Sequence, residues 1–484
     1  MPSNFENSAT ARLRLDSRVP TELLSVFDST LKLVRATEGS LDVMLAPGVY
    51  RIQGRVGVTE ETQLIMLAPG ADERRDLSVE FAGGAPVYGT RTMNETHGAL
   101  AHHLSTNVGY RSQEESGAVL VLRTLRDSPS SSAYADADRV RLLNADLRQV
   151  SPPGVDWTIA DSGTLGWGGR LAPGAYVLRT DRGTEEGSAA WAESGPTDQT
   201  IWLCPGWQTL VFVPNTPFGP DARGISVHMV PLFEPWEPTD PTALAVEASL
   251  AGLRDGVPPS PNSILDLNHE EKANPMLAIL ALHREPQHTL LKSSWVAYSD
   301  VIRRLEGRLR TAHPDVLAAA TRLPGRAREL PEVRWPPMLA TSYRHCLLPA
   351  DAEDSRVLLA GSPAERVAAF LRPSQPWLQW VATRELLAGR YTTSEDRQLF
   401  MPPRRAPGAA VDRVQRAVSE IASFQEVDHR QVVDRLGSSE LARRCELPET
   451  LVAEALRDPR LQRFLDLPGE PGGKWSRDRP DRPQ

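Results

Sequence analysis

The chain has little of what disulfide frameworks and membrane spans are made from. Its 484 residues hold three cysteines, Cys204, Cys346 and Cys445, scattered and odd in number. That excludes a disulfide framework and suits a reducing compartment. No apolar run approaches the ~20 residues of a membrane helix. The first residues, Met1-Pro2-Ser3-Asn4-Phe5-Glu6-Asn7, lack a basic stretch followed by an apolar one, so they do not read as a secretory signal. These absences predict a cytoplasmic protein that avoids membranes. Lysine is scarce as well, with only Lys32, Lys272, Lys292 and Lys474 in the whole chain. A net charge of −8 is not the electrostatic footprint of a protein that neutralises many phosphates.

Familiar catalytic signatures are missing too. The sequence has no Gly-x-Ser-x-Gly, His-Glu-x-x-His, phosphate loop or dinucleotide glycine fingerprint. The reading is therefore of a protein without enzymatic activity, cofactor or metal, and no residue is assigned to any of these roles. The histidines His97, His102 and His103 lie in a polar stretch, and His97 and His102 are badly spaced for one helix face. Cys346 follows His345 directly. Neighbours on a helix point about 100° apart, so the two do not form a nucleophile–base pair. Glu114-Glu115 and Glu185-Glu186 read as solvated pairs. Trp157, Trp167, Trp191, Trp202 and Trp207 fall between residues 118 and 235, whereas the preceding part has no tryptophan. Exposed, they would suit a sugar or a peptide; Trp202, inside an apolar run, reads as core.

What is present is a phrase written twice. Leu45-Ala46-Pro47-Gly48-Val49-Tyr50 returns as Leu171-Ala172-Pro173-Gly174-Ala175-Tyr176. Each copy is followed by a second phrase, Gln63 to Gly70 and Gln199 to Gly206, closed by another Pro-Gly. Pro-Gly is turn chemistry, and the residues after it alternate as a half-buried strand does. The second copy is longer, with the extra residues placed in the polar stretch from Asp181 to Pro196. Leu31 to Ala36 and Val140 to Ala145 read as a third, weaker matching pair of strands. So few strands cannot bury a core alone, and each unit needs further strands to close a sandwich.

After Pro235-Trp236-Glu237-Pro238 the periodicity becomes helical. Trp295, Tyr298, Ile302, Leu305 and Leu309 make an apolar stripe. The predicted fold is α+β multidomain: two β-sandwich-like domains in tandem, then an all-α C-terminal region. The expected boundaries are a first sandwich over 8–83, a linker over 84–117 and a second sandwich over 118–235. A helical domain over 236–400 follows, then an exposed linker over 401–410, a small helical module over 411–467 and a disordered tail over 468–484. Within the module, Ser438 to Leu456 reads as a helix-turn-helix with Ser438 or Ser439 as a cap and Pro448 at the start of the second helix. That second helix carries Glu449 and Glu454 where a DNA reader needs donors, which favours a protein-contact module.

Several phrases together carry a resemblance. They are the two Pro-Gly-x-Tyr units and Pro205-Gly206-Trp207-Gln208-Thr209-Leu210-Val211-Phe212-Val213. In the helical half they are Asn274-Pro275-Met276-Leu277-Ala278-Ile279-Leu280, His313-Pro314-Asp315-Val316, Pro336-Pro337-Met338-Leu339 and Pro376-Trp377-Leu378-Gln379-Trp380. In these the chain resembles an uncharacterised class of bacterial proteins encoded beside caspase-like or CHAT-type peptidases in defence loci. The resemblance runs from about Leu13 to Leu456. It implies a substrate or regulatory adaptor of that peptidase, in antiviral proteolytic cascades such as those attached to type III CRISPR systems, with a further protein effector as a second partner. The matching phrases are structural, so no catalytic residue is carried over. A peptidase preferring basic residues would find candidate cleavage sites at Arg404 and Arg405, and at Arg326 and Arg328. Two other readings stay open: a DNA-binding regulator acting through Ser438 to Leu456, and a glycan-binding module built on the β-domains.

Overall fold

A computed structural model describes residues 10–109, 114–124, 136–151, 156–160, 163–181, 195–216, 219–255, 274–284, 292–323, 330–347, 357–372, 374–382, 428–445 and 449–466, with 112, 411, 414, 415 and 418 as single positions. The chain is of mixed α and β structure with several sheets.

The first unit packs two sheets face to face. One has the order β4-β1-β7, from Ser40–Leu45, Ala11–Asp16 and Asp72–Asp76. The other has the order β3-β2-β5-β6, from Leu33–Glu38, Leu23–Phe27, Gly48–Val56 and Thr59–Leu67. Leu13, Leu15, Leu24, Val26, Tyr50 and Ile52 meet in the cluster between them. Alternation along the strands makes this possible, because every second side chain points to the same face. The outer face of β1, β4 and β7 is solvated and charged, with Arg12–Asp42, Arg14–Asp72 and Arg74–Asp16 paired at 2.5–2.8 Å.

The second unit repeats six of these seven strands in the same pairing plan. β1 pairs antiparallel with β4 and parallel with β7. In the second copy β8 (Ser116–Thr124) pairs antiparallel with β11 (Leu165–Leu171) and parallel with β14 (Trp207–Thr216). β2-β5-β6 likewise returns as β9 (Val140–Leu143), β12 (Gly174–Thr180) and β13 (Thr197–Leu203). The partner of β9 in the first copy is thus β2. The third matching strand expected at Leu31 to Ala36 belongs to β3, an exposed edge strand without an equivalent in the second unit.

The doubled phrase makes the same local structure twice. Gly48 and Gly174 take φ of +159° and +142°, a backbone that L side chains rarely adopt. The tyrosine two residues on turns back to the phrase: Tyr50 Oη donates to Ala46 O at 2.8 Å and Tyr176 Oη to Ala172 O at 2.8 Å. Each bond ties the start of a hairpin to the turn before it. Tyr50→Phe and Tyr176→Phe are each expected to lower unfolding free energy by about 1 kcal/mol. Urea denaturation of both variants checks this; a loss in one copy alone would show that the two turns are not equivalent.

Around the second unit lie two helical layers. Residues 84–117, expected as a polar linker, hold α1 (Glu95–Val108), capped by Asn94. Its buried Leu100, Ala101, Leu104 and Val108 pack with Val119 and Val121 of β8, Phe212 of β14 and Trp236. α2 (Pro241–Asp255) joins the same cluster through Ala243, Leu244, Ala248 and Ala251. That stretch is a structural layer, and the linker expectation is corrected. β10 (Thr158–Ile159), β15 (Gly219–Pro220) and β16 (Ser226–Pro231) extend this sheet.

The other face is covered by the helical half. α3 (Pro275–Arg284), α4 (Lys292–Leu309), α5 (Pro314–Ala320), α6 (Ala340–Leu347) and α7 (Pro363–Arg366) follow in order. The sandwich interior and these helices share one cluster, in which Leu120, Leu178 and Ile201 meet Ile279, Tyr298 and Leu305. Residues 118–235 and 236–400 therefore do not form separate cores. The C-terminal half is also not all-α. β17 (Leu371–Arg372) and β18 (Gln379–Val381) return to the second unit, and β18 pairs antiparallel with β13. The reason is chemical. Trp377 and Trp380 are fully buried, and Gln379 donates to Gln199 Oε1 at 2.8 Å and to Ala222 O at 2.6 Å, so the segment completes the sheet. Further on, α8 (His429–Cys445, kinked at Gly437 with φ 67°), α9 (Glu449–Arg457) and α10 (Pro459–Leu465) bury Val414, Val432, Leu441, Val452 and Leu461 in a cluster of their own. Among the described residues no helix is long and apolar enough to cross a membrane.

Candidate functional site

Among the described residues, the densest collection of chemically capable groups lies where α3, α5 and α6 meet. Each is placed by a helix end. Asn274 caps α3, its Oδ1 accepting from Met276 N at 2.9 Å, while its Nδ2 donates to Met229 O at 2.7 Å. The last turn of α3 then presents His283. His313 caps α5 through Nδ1, which accepts from Asp315 N at 3.3 Å, and Pro314 fills the first helical position where no N–H is needed. α6 supplies Ser342 and His345 from one face.

Asp315 is the hub. Its Oδ1 accepts from Leu339 N at 2.9 Å and from Ser342 Oγ at 2.5 Å, and its Oδ2 accepts from Met338 N at 2.9 Å. His283 Nε2 lies 2.7 Å from the Asp315 carbonyl oxygen and 3.0 Å from Ser342 Oγ. His283 Nδ1 lies 3.2 Å from His345 Nδ1, with the two rings stacked at 5.1 Å. Arg322 closes the group, donating to Leu282 O and Tyr298 Oη at 3.1 and 3.2 Å. His283, His313, Asp315, Ser342 and His345 are each at most 4 % exposed.

Serine, histidine and aspartate in contact suggest a nucleophile, and the hydrogen-bond directions decide otherwise. A carbonyl oxygen only accepts, so His283 carries its proton on Nε2. Ser342 gives its own proton to Asp315. Nε2 therefore has no lone pair to receive a proton from Ser342, which is the reverse of a catalytic triad. His283 Nδ1 accepts from His345 Nδ1–H, and the chain of protons is complete with both rings neutral. Burial drives His283 and His313 down to about 3 and His345 well below its ordinary value. The Arg322 guanidinium lowers His283 and His345 further, and Arg344 adds to this at His345. Burial pushes Asp315 up to about 6 against the donors that hold its charge.

A second buried knot fixes the outer layer. Glu247 accepts from His228 Nε2 at 2.8 Å, from Gly84 N at 2.7 Å and from Ser226 Oγ. Burial raises its carboxyl, but the bonds to His228 and Ser226 outweigh this and hold it low. Arg123, fully buried, donates to Gly84 O, to Thr92 O and, from Nε, to His97 Nδ1 at 3.4 Å. Burial lowers Arg123 to about 10 and His97 to about 4.

The residues singled out from sequence fall as follows. His97 lies in this second knot; His102 Nδ1 is 3.1 Å from Glu237 Oε1, and His103 contacts Asn107. The three do not converge. Cys346 is buried beside Val177 and Trp380, and burial pushes its thiol well up, as it does for Cys204. His345 turns to His283, away from Cys346. Trp157 and Trp202 are core, the latter with its ring centre 5.6 Å from that of His313. Trp191, Glu185 and Glu186 lie outside the described residues, as do all four candidate cleavage arginines, Arg326, Arg328, Arg404 and Arg405. Of Ser438 to Leu456, α9 turns Val452 and Ala455 into the module's own cluster.

Sequence reading missed His283, Ser342, Glu247 and Arg123. Only the His313-Pro314-Asp315 phrase pointed to the first knot, and it did so as a helix cap. Compared with known proteins, the chain matches no family model and no curated sequence.

Proposed function

We propose that the chain is a non-enzymatic substrate or regulatory adaptor of a caspase-like or CHAT peptidase in bacterial antiviral defence, with cleavage at Arg404, Arg405, Arg326 or Arg328. The family resemblance supplies the partner. One structural contrast supports a protein-contact role. In the second unit, the outer face of β12 and β13 lies under the chain's own helices, and Val177 packs with Leu317, Tyr343 and Trp380. The matching face of the first unit is bare. Val49, Leu64 and Met66 are 48 %, 75 % and 80 % exposed, and pairing of Val49 with Met66 and Arg51 with Leu64 makes them neighbours. Exposed apolar patches of this kind mark interaction surfaces.

The experiment mixes the full chain with the activated peptidase encoded beside it and maps fragments by mass spectrometry. Cleavage after one of the four arginines is the expected result. Leu64→Asp with Met66→Lys is expected to weaken association at least tenfold without changing the melting temperature, as read by calorimetry. An intact chain together with unchanged association of the double variant would sink the proposal.

A further inference from the structure

The doubled hairpin ends in opposite ways at its outer edge. β5–β6 and β12–β13 pair in the same register, with Gly48 opposite Leu67 and Gly174 opposite Leu203. Thr62, Gln63 and Leu64 therefore stand where Asp198, Gln199 and Thr200 stand in the second unit. The outer edge of β13 carries β18, antiparallel, with Gln199 opposite Gln379 and Asp198 opposite Trp380. Two side chains fix it there. Gln379 Nε2 donates to Gln199 Oε1 at 2.8 Å, and Trp380 packs with Val177 on the outer face. Among the described residues no strand pairs with the matching edge of β6.

Four features make that edge an acceptor. β6 is nine residues long, in unbroken register with β5, and holds no proline, lysine or bulge, the devices that blunt an edge. Gln63 repeats Gln199. Its Nε2 donates to Glu61 Oε1 at 3.0 Å, which leaves its Oε1 to accept as Gln199 Oε1 does. Arg51 stands where Val177 does, opposite Leu64 and with its guanidinium 5.1 Å from the Phe27 ring centre, a platform that suits a second aromatic ring. Glu60 and Glu61, at the start of β6, are held by Gln53 and Gln63 rather than by a cation. On an antiparallel partner strand they face the residues three and two places after the one opposite Gln63.

We infer that β6 takes an extended segment of a partner protein as an added antiparallel strand. The segment carries a glutamine opposite Gln63, whose amide donates to Gln63 Oε1. An aromatic residue follows it on the outer face, over Arg51 and Leu64, and basic residues come next, against Glu61 and Glu60. Main-chain bonds to the edge supply affinity, and the side chains on alternate faces supply selectivity. The second unit shows the arrangement already made, with Leu378-Gln379-Trp380 of the same chain in the added strand. The inference rests on the bare face of the first unit being a protein-contact surface, and not on the partner's being a peptidase.

The probe is a fluorescein-labelled peptide, Trp-Leu-Gln-Trp-Lys-Lys, which is the sequence of residues 377–380 with two lysines added. Anisotropy measures its binding to the full chain, and amide hydrogen exchange places it. Exchange is expected to slow over residues 59–67 and to stay unchanged over 197–203. Gln63→Met should weaken the peptide about fivefold, the size of one hydrogen bond. Replacing the two lysines by glutamates should weaken it about threefold or more. Alternate N–H groups of an added strand face its neighbour. N-methylation at Leu and the second Trp, or else at Gln and the first Lys, should therefore abolish binding in one set and be tolerated in the other. No binding at millimolar peptide, equal binding of the two methylated peptides, or slowed exchange at 197–203 alone would each overturn strand addition. A native dimer that Leu64→Asp dissolves would give the edge to a second copy and overturn it too. If the methylated peptides bind alike while Leu64→Asp with Met66→Lys still weakens association with the peptidase, the contact surface stands and strand addition alone falls.

Discussion

Asp315→Ala is expected to lower the unfolding free energy by about 3 kcal/mol at pH 7, a loss that puts much of a marginal stability at risk. Two terms decide the size. Alanine leaves Met338 N, Leu339 N and Ser342 Oγ without their acceptor, all in a dry interior. Hydrogen bonds to a charged acceptor contribute roughly 1.5–3 kcal/mol each, so about 6 kcal/mol is lost. Against this stands relief. The desolvation cost of the buried carboxylate, large enough to lift it to about 6 even with those donors in place, is removed by alanine and offsets part of that loss. The loss wins because three donors share one carboxylate. Asp42→Ala, which breaks the exposed Arg12 pair, is the control and should leave the melting temperature unchanged. Urea denaturation of both variants gives the comparison. An Asp315→Ala protein as stable as the parent would mean that the hub contributes nothing.

That hub was legible only in outline. The sequence shows His313-Pro314-Asp315 as a helix start, because cap chemistry is local. It does not show that His283, 32 residues from Asp315, and Ser342, 27 residues from it, arrive at the same point. Only packing of three helices brings them together. The doubled β-unit was far more legible, since Pro-Gly turns and alternation are also local. Even there, composition misled. Leu31 to Ala36 looks like a match for Val140 to Ala145, but β3 is an exposed edge and β9 pairs in a covered sheet. Periodicity does not name a strand's neighbour.

Two other misreadings have the opposite cause, a pattern hidden by burial or by polarity. Pro376-Trp377-Leu378-Gln379-Trp380 falls inside the region expected to be all helical, because a strand covered on both faces has no alternation to show. α1 reads as linker because its histidines, Ser105, Thr106 and Asn107 dilute a real stripe of Leu100, Ala101, Leu104 and Val108. The stripe covers the outer face of β8. Once it is recognised, the difference between the two units becomes clear: the second is closed on both sides by helices, and the first is left open.

The neutral histidines make the fold sensitive to acid, and the sign follows from proton counting. His283 and His313 stay deprotonated in the native state down to about pH 3, and burial holds His345 well below its ordinary value, whereas all three take up protons near pH 6.5 once unfolded. Their neutral burial is compatible with full stability above 6.5, and stability is lost as pH falls below it. Asp315 acts in the opposite sense. Raised to about 6, it takes a proton in the native state before the unfolded one does, which offsets one of the three between about pH 6 and 4. For these four groups the unfolded state therefore binds about two more protons, and their contribution to stability should fall by about 3 kcal/mol per pH unit across that window. Few domains tolerate two such units, so this knot should open between pH 6 and 4. Urea denaturation at half-unit steps from pH 7.5 to 5 measures the slope. His345→Gln keeps a hydrogen-bonding side chain while removing one titrating group, so it should flatten the slope by about 1.4 kcal/mol per unit. A pH-independent stability in this range would mean that His283, His313 and His345 are not held neutral by burial.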